Sequence, residues 1–307
     1  MPKFFVPILH LIREEPGLDI DSPPFCLVRR KWDVSTFDLA TLATKHQLHF
    51  SYQLMDVFLK ACNLELRVEA ETLAEVAELT KRLRAMLYVN NVSPFVMPFV
   101  ATHSINDYAG INSRDSDSLC EKLHPDLRNG PTSKDITVEV WSFEPILWII
   151  GAGEDKLADA TFIKAIDQAN KWQKLSSDTK ELRVVQDVLT TAPQILDQQQ
   201  SVLHIWTGLE SLFPSVQQEV TFRIALYLAQ LCEGEQDRRE LFQRVKSSYN
   251  TRSKIAHGSK DKFTPKDWYI AWDLLREVCQ AILRRGKLPT EAHLIEELLS
   301  PSATPSS

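Results

Sequence analysis

The sequence predicts an α+β N-terminal domain followed by an all-α helical bundle, and three observations lead there. LELRVEA (64–70) alternates apolar and polar residues, as a half-buried strand does. The next segment, ETLAEVAELTKRLRAML (71–87), switches to a helical period, with Leu73, Val76, Ala77, Leu79, Leu83 and Leu87 on one face. From Gly151 to about residue 299, one helical segment follows another. These changes predict an α+β domain over 1–150, a helical domain over 151–299 and a disordered tail over 300–307.

In the N-terminal half, the apolar run of MPKFFVPILHLIREEP is broken by Pro7 and His10 and followed by charges. It lacks a small-residue cleavage site, so it does not read as a signal segment. FVMPFVA (95–101) and ITVEVWSF (136–143) predict two further strands, and Pro98 places the first at an edge or a bulge. The polar, Gly/Pro/Ser-punctuated residues 111–135 predict a long surface loop. GAGED (151–155) lacks the third glycine and the lysine of a phosphate-cradling loop and reads as a hinge.

The C-terminal half predicts helices over 155–172, 179–191, 194–213, 219–232, 237–249 and 265–285, punctuated by Pro193, Pro214, Gly234, Gly258 and Gly286. Val202, Ile205, Trp206, Leu209, Leu212 and Phe213 form a buried stripe in the third, and Trp268 and Trp272 are core positions in the last.

Composition narrows the function classes. A formal charge of −6 argues against a general nucleic-acid coat. Five dispersed cysteines without a C-x-x-C pair predict reduced, buried thiols rather than a disulfide framework or a zinc site. No apolar stretch approaches the roughly 20 residues of a membrane span, so a cytoplasmic protein without membrane contact is expected. His10, His46, His49, His103, His124, His204 and His293 show no metal-ligand spacing, so neither metal nor cofactor is expected. A G-x-S-x-G nucleophile elbow is missing.

Residues 238–262 stand apart. Arg238, Arg239, Arg244, Lys246, Arg252, Lys254, Lys260 and Lys262 face only Glu240 and Asp261. That is eight charges against two, a local +6 on a body that otherwise carries −12. Such a concentration attracts phosphate, although a charge run alone is more often a solvated helix face. Within it, YNTRSKIAHG (249–258) holds Arg252 and His257. Phosphodiester cleavage in RNA needs a proton taken from the 2′-OH, charge stabilised on phosphate and a proton given to the leaving oxygen. Histidine can move the protons and arginine can grip two phosphate oxygens. On a helix, residues five apart lie roughly 140° apart, so the pair does not share a face. Gly258 reads as the helix stop, which leaves His257 a plain alternative role as a C-terminal capping cation.

Three ordered blocks, SVLHIWTGLESLFP (201–214), EVTFRIALYLAQL (219–231) and VKSSYNTRSKIAHG (245–258), resemble the HEPN superfamily, specifically its Apea-like branch found in prokaryotic anti-phage proteins. The resemblance covers about residues 155–290, its specific part lying at 203–258. It implies a HEPN-type helical bundle that dimerises. It also implies a metal-independent endoribonuclease whose site forms where the Arg and His of two subunits meet. Carried onto this sequence, Arg252 binds phosphate and His257 handles the proton. Glu210, Ser253 and Tyr249 support them, Glu210 either orienting the pair or pinning the bundle. Arg244, Lys246, Lys254, Lys260 and Lys262 would bind RNA. Ser253 stands where active members commonly carry Asn, Asp or His, which bears on rate or substrate choice. Ser259 stands where some relatives carry a tyrosine modified by a nucleotidyltransferase partner, so that regulation finds no support. The expectation is an endoribonuclease acting in anti-phage defence or as a toxin. Its expected partners are RNA, a second copy of the chain, and an antitoxin or phage-derived trigger. The alternative is a non-catalytic HEPN module binding RNA or a protein partner. A third possibility leaves the helical half to dimerisation and an unread activity to the N-terminal half, itself a plausible sensor or regulatory domain.

Overall fold

The computed structural model describes residues 1–15, 17–48, 51–61, 63–141, 152–234, 237–258 and 263–300. The chain divides into two compact units, Met1–Lys81 with Val92–Lys164, and Arg82–Asn91 with Ala165–Ser307. The first contains a sheet with helices and the second is helical, so the α+β class with a helix-rich C-terminal part holds.

In the first unit, β1 (Lys3–Ile8), β3 (Ile20–Ser22), β4 (Phe25–Arg29), β5 (Leu64–Glu69), β6 (Phe99–Ala101) and β7 (Val138–Val140) form one sheet. Its strand order is β3-β4-β5-β1-β6-β7. The apolar N-terminal run is thus an interior strand. β1 pairs with β5 from Lys3↔Glu69 to Ile8↔Leu64, and buries Phe4, Val6 and Ile8. It meets β6 only at Phe5↔Ala101, so Pro7 lies outside that ladder and its missing N–H is tolerated. β6 is interior rather than at an edge, but the bulge expected for FVMPFVA is present: the pairing slips by one residue between Phe5↔Ala101 and Leu9↔Val96, with Pro98 in the extra length. The strand begins only after Pro98, whose carbonyl accepts a hydrogen bond from the Trp141 N–H at 3.1 Å. The second expected strand is confined to β7 among the described residues, and 142–143 lie outside them.

Two buried charges fasten this unit. Glu65, with no exposed surface, accepts from Arg30 Nε at 3.0 Å, Ser104 Oγ at 2.6 Å and the Ile105 N–H at 3.3 Å. Arg13, on the short strand β2 (Ile12–Arg13), grips both carboxylate oxygens of Asp159 and donates to the Leu18 carbonyl at 2.6 Å. The guanidinium holds the Asp159 carboxyl below the usual carboxylate range. β2 pairs in parallel with β8 (Lys156–Leu157), and the Ser93 N–H donates to the Glu154 carbonyl at 2.8 Å. Residues 154–157 are therefore strand-paired rather than a free hinge or a helix start, while Gly151 lies outside the described residues. Within the expected loop, three single turns occur, α4 (Ile111–Arg114), α5 (Asp117–Cys120) and α6 (Pro125–Arg128). Arg114 organises them by donating to the carbonyls of Ala109, Leu127 and Pro131. The unit also contains helices α1 (Thr36–Lys45) and α2 (Tyr52–Ala61), a 3-10 turn at Ile105–Tyr108 and the start of α3 (Leu73–Val89), which ends in the second unit.

The second unit holds most of α7 (Asp159–Ser177), then α8 (Lys180–Thr191), α9 (Gln198–Ser211), α10 (Val220–Leu231), α11 (Arg238–Ala256), α12 (Pro265–Arg285) and α13 (Glu291–Leu299). Local chemistry sets the ends. Asp197 caps α9 by accepting from the N–H groups of Gln199 and Gln200. Thr264 and Asp267 form a capping box with Pro265 opening α12. Gly286 takes a left-handed φ of 65° that ends α12. The stripe Val202, Ile205, Trp206, Leu209, Leu212 and Phe213 is buried as expected, against α8, α11 and α12. Trp268 and Trp272 stack at 5.3 Å between ring centroids, and Trp268 Nε1 donates to Ser201 Oγ at 2.7 Å. The end of α3 joins this core, Tyr88 meeting Trp272 edge-on at 5.8 Å.

Cys232 and Cys279 are buried and form no disulfide, whereas Cys26 and Cys120 are only half-buried and Cys62 lies outside the described residues. Among the described residues no helix is long and apolar enough to cross a membrane. The tail from residue 301 lies outside the described residues.

Candidate functional site

Helix α11 carries the site, and its sequence fixes both its ends and its rotation. Asp237 caps the start, accepting from the Arg239 N–H at 2.7 Å. The end is a glycine stop. His257 is the C-cap residue, and Gly258 follows at a left-handed φ of 78° with its N–H on the Ile255 carbonyl at 2.9 Å. Leu241, Val245, Ser248, Tyr249 and Ile255 are buried. With that face inward, His257 is exposed and Arg252 lies at the edge of the packed face.

Arg252 is held from two sides. Its Nη2 donates to Glu210 Oε2 on α9 at 3.0 Å, and its guanidinium carbon lies 5.5 Å from the Tyr249 ring centroid. Tyr249 is in turn fixed by the edge of Trp206, 5.0 Å between centroids, and Trp206 Nε1 donates to Ser248 Oγ at 3.3 Å. The buried stripe of α9 thus builds an aromatic shelf beneath the arginine. Gly208 supports the same placement: a Cβ there would sit 3.2 Å from the Val188 side chain, so the glycine lets α8 pack closely against α9. Burial pushes the Tyr249 phenol pKa up; the Glu210 charge adds to the shift and Arg252 opposes it.

The pairing of Arg252 with Glu210 is incomplete. Only one N–H meets one carboxylate oxygen. Arg252 Nε and Glu210 Oε1 are buried without a well-formed hydrogen bond among the described residues, and the Tyr249 phenol lies beside the Glu210 carboxylate.

On its outer face α11 presents an exposed polar row. Arg239, Gln243, Lys246, Asn250 and His257 are exposed and Ser253 half-exposed, all at spacings of three or four residues. Lys254 is exposed beside the row. Arg244 faces the other way and is ion-paired with Glu277 on α12, so it is not an open cation on this face. Lys260 and Lys262 lie outside the described residues. The basic run includes Arg239, Lys246 and Lys254, although Arg239 is not among the residues expected to bind RNA, and charge counting cannot find Gln243 and Asn250, which are neutral. The three-and-four spacing from 239 to 257 was the signal that could have found them.

The structure therefore brings Glu210, Tyr249 and Arg252 together, and sets His257 on a different flank of the same helix end. An exposed imidazole can take or give a proton, and an arginine on an aromatic shelf can bind an oxyanion. Among the described residues no cluster of three His, Cys, Asp or Glu side chains could hold a metal ion. No protein-family model, curated protein or solved structure matches the chain.

Proposed function

We propose that the chain is a HEPN-type endoribonuclease that cleaves RNA by 2′-OH attack without a metal. Its site is composite, with Arg252 of one subunit beside His257 of another, and its setting is anti-phage defence or toxin action. The observation that carries this reading is the placement of the pair at one helix end. His257 is exposed at the end of a polar, basic row, while Arg252 is set roughly 140° away on an aromatic shelf. Two such groups serve one phosphodiester more readily across a two-fold axis than within one chain. The row from Arg239 to His257 supplies cations along about 27 Å of helix, a suitable track for a phosphate backbone.

The test is cleavage of RNA by the full chain in the presence of a chelator. Wild type is expected to cut and leave a 2′,3′-cyclic phosphate, while Arg252→Ala and His257→Ala remain folded and inactive. Equal behaviour of all three proteins contradicts the proposal. RNA binding that survives both substitutions without cleavage favours the non-catalytic module.

A further inference from the structure

We infer that Glu210 is an electrostatic latch on Arg252, occupying the guanidinium that the ligand's phosphate must reach. The inference rests on the nucleic-acid reading above and adds how access to that site is controlled.

The contact has the features of an exchangeable pair. It is a single hydrogen bond at 3.0 Å rather than a two-bond fork, and it leaves Arg252 Nε without a partner among the described residues, while the Tyr249 phenol stays beside Glu210 to hold the carboxylate when Arg252 turns away. A buried donor left unmade weakens the pair. A phosphate offers several oxygens to the same guanidinium and can complete the fork that Glu210 does not. Both side chains remain reachable, 27% and 26% exposed. Tyr249 keeps the guanidinium over its ring from below, so exchange needs only a side-chain turn. While the latch is closed, the pair is neutral and the carboxylate repels phosphate. The α11 face then attracts anions only through its outer cations, Arg239, Lys246 and Lys254.

A latch and a simple positioning role predict opposite signs. If Glu210 only positions Arg252, removing its charge weakens ligand binding. If it competes with the ligand, removal strengthens binding, and only while Arg252 is present. The experiment is fluorescence anisotropy at low salt with the full-length chain and a labelled 2′-O-methyl oligoribonucleotide, which binds but lacks the 2′-OH needed for cleavage. Glu210→Gln is expected to lower Kd by about three- to tenfold. Arg252→Ala raises Kd, and the double variant should match Arg252→Ala, with circular dichroism confirming the fold. Should the glutamine variant misfold, Glu210→Asp, which withdraws the carboxylate, is expected to shift binding in the same direction. An unchanged or weaker Kd for the Glu210 variant, or a gain that persists without Arg252, overturns the latch. If Arg252→Ala weakens binding while Glu210→Gln changes nothing, the latch alone falls. Absence of binding by every variant removes the nucleic-acid reading and the latch with it.

Discussion

Arg252 reaches from α11 to α9 and gives Glu210 one hydrogen bond, Nη2 to Oε2 at 3.0 Å, instead of a two-bond fork. Because both partners are partly solvated, the contact contributes little to folding, roughly 1 kcal/mol or less. Arg252→Ala should therefore leave the thermal midpoint nearly unchanged while lowering RNA cleavage by about a hundredfold or more. Arg252→Lys keeps the charge but not the planar fork, and should fall between. Paired melting curves and cleavage rates check this.

The aromatic shelf should behave in the opposite way. Trp206 is fully buried, touches Tyr249 and donates to Ser248, so Trp206→Ala should destabilise the second unit by about 3–5 kcal/mol. Denaturant unfolding followed by circular dichroism measures the loss.

Gly258 ends α11 at a φ of 78°, and a Cβ there would meet nothing within 4 Å among the described residues. The penalty for Gly258→Ala is therefore one of backbone conformation alone, about 1 kcal/mol. A midpoint shift of a few degrees or less is expected, together with reduced cleavage if the glycine stop sets the position of His257. Alanine and asparagine variants, compared in melting and cleavage, separate the two effects.

Stability should also decline on the acid side of neutrality. Burial lowers the pKa of His204, whose Nε2 lies 2.7 Å from Thr191 Oγ1; the Asp187 charge opposes the shift. The unfolded histidine takes up its proton near pH 6.5, before the folded one does. The contribution of neutral His204 is thus complete above about pH 6.5 and is lost as pH falls through its lowered folded value. Burial likewise lowers His10 and His46 in the first unit. Thermal midpoints between pH 7.5 and 5 should fall for wild type and fall less for His204→Gln.

In the first unit, Arg13 is 3% exposed and grips Asp159 with two nitrogens. Arg13→Ala removes a buried side chain with its bonds to the Leu18 carbonyl and to an Asp159 carboxylate that water can still reach, and should cost about 1–2 kcal/mol. Limited proteolysis should then cut the 14–19 segment, whose Gly17 and Leu18 carbonyls Arg13 also holds.

Local signals in the sequence are legible where one face of an element is buried. The stripe from Val202 to Phe213 has a helical period because α9 packs against its neighbours along that face, and the glycine stop at Gly258 is a backbone requirement visible in one residue. The strand β1 is not legible because KFFVPI is apolar at every position after Lys3 and so shows no alternation, and Pro7 suggests interruption although it lies outside the β6 ladder. α1 and α2 were missed as well, and α13, nine residues long, was too short to stand out. The Arg13–Asp159 pair spans 146 positions and left no local trace. At the site, Arg252, His257 and Glu210 were identifiable as residue types in ordered blocks. Which atoms meet was not, because the contact depends on how α9 and α11 pack. Arg244 shows the same limit: within its basic run it looks like the other cations, but Glu277 on α12 engages it.

The central claim is that Arg252 and His257 act from different subunits, and mixing two inactive variants tests it most directly. Arg252→Ala and His257→Ala are unfolded and refolded together, then assayed for RNA cleavage beside each variant alone. If the site is composite, each mixed dimer holds one site with both residues intact. Activity should then return to about a quarter of wild type, because half the dimers are mixed and each has one of its two sites complete. A mixture as inactive as its separate components, with mixed dimers shown to form, contradicts the account.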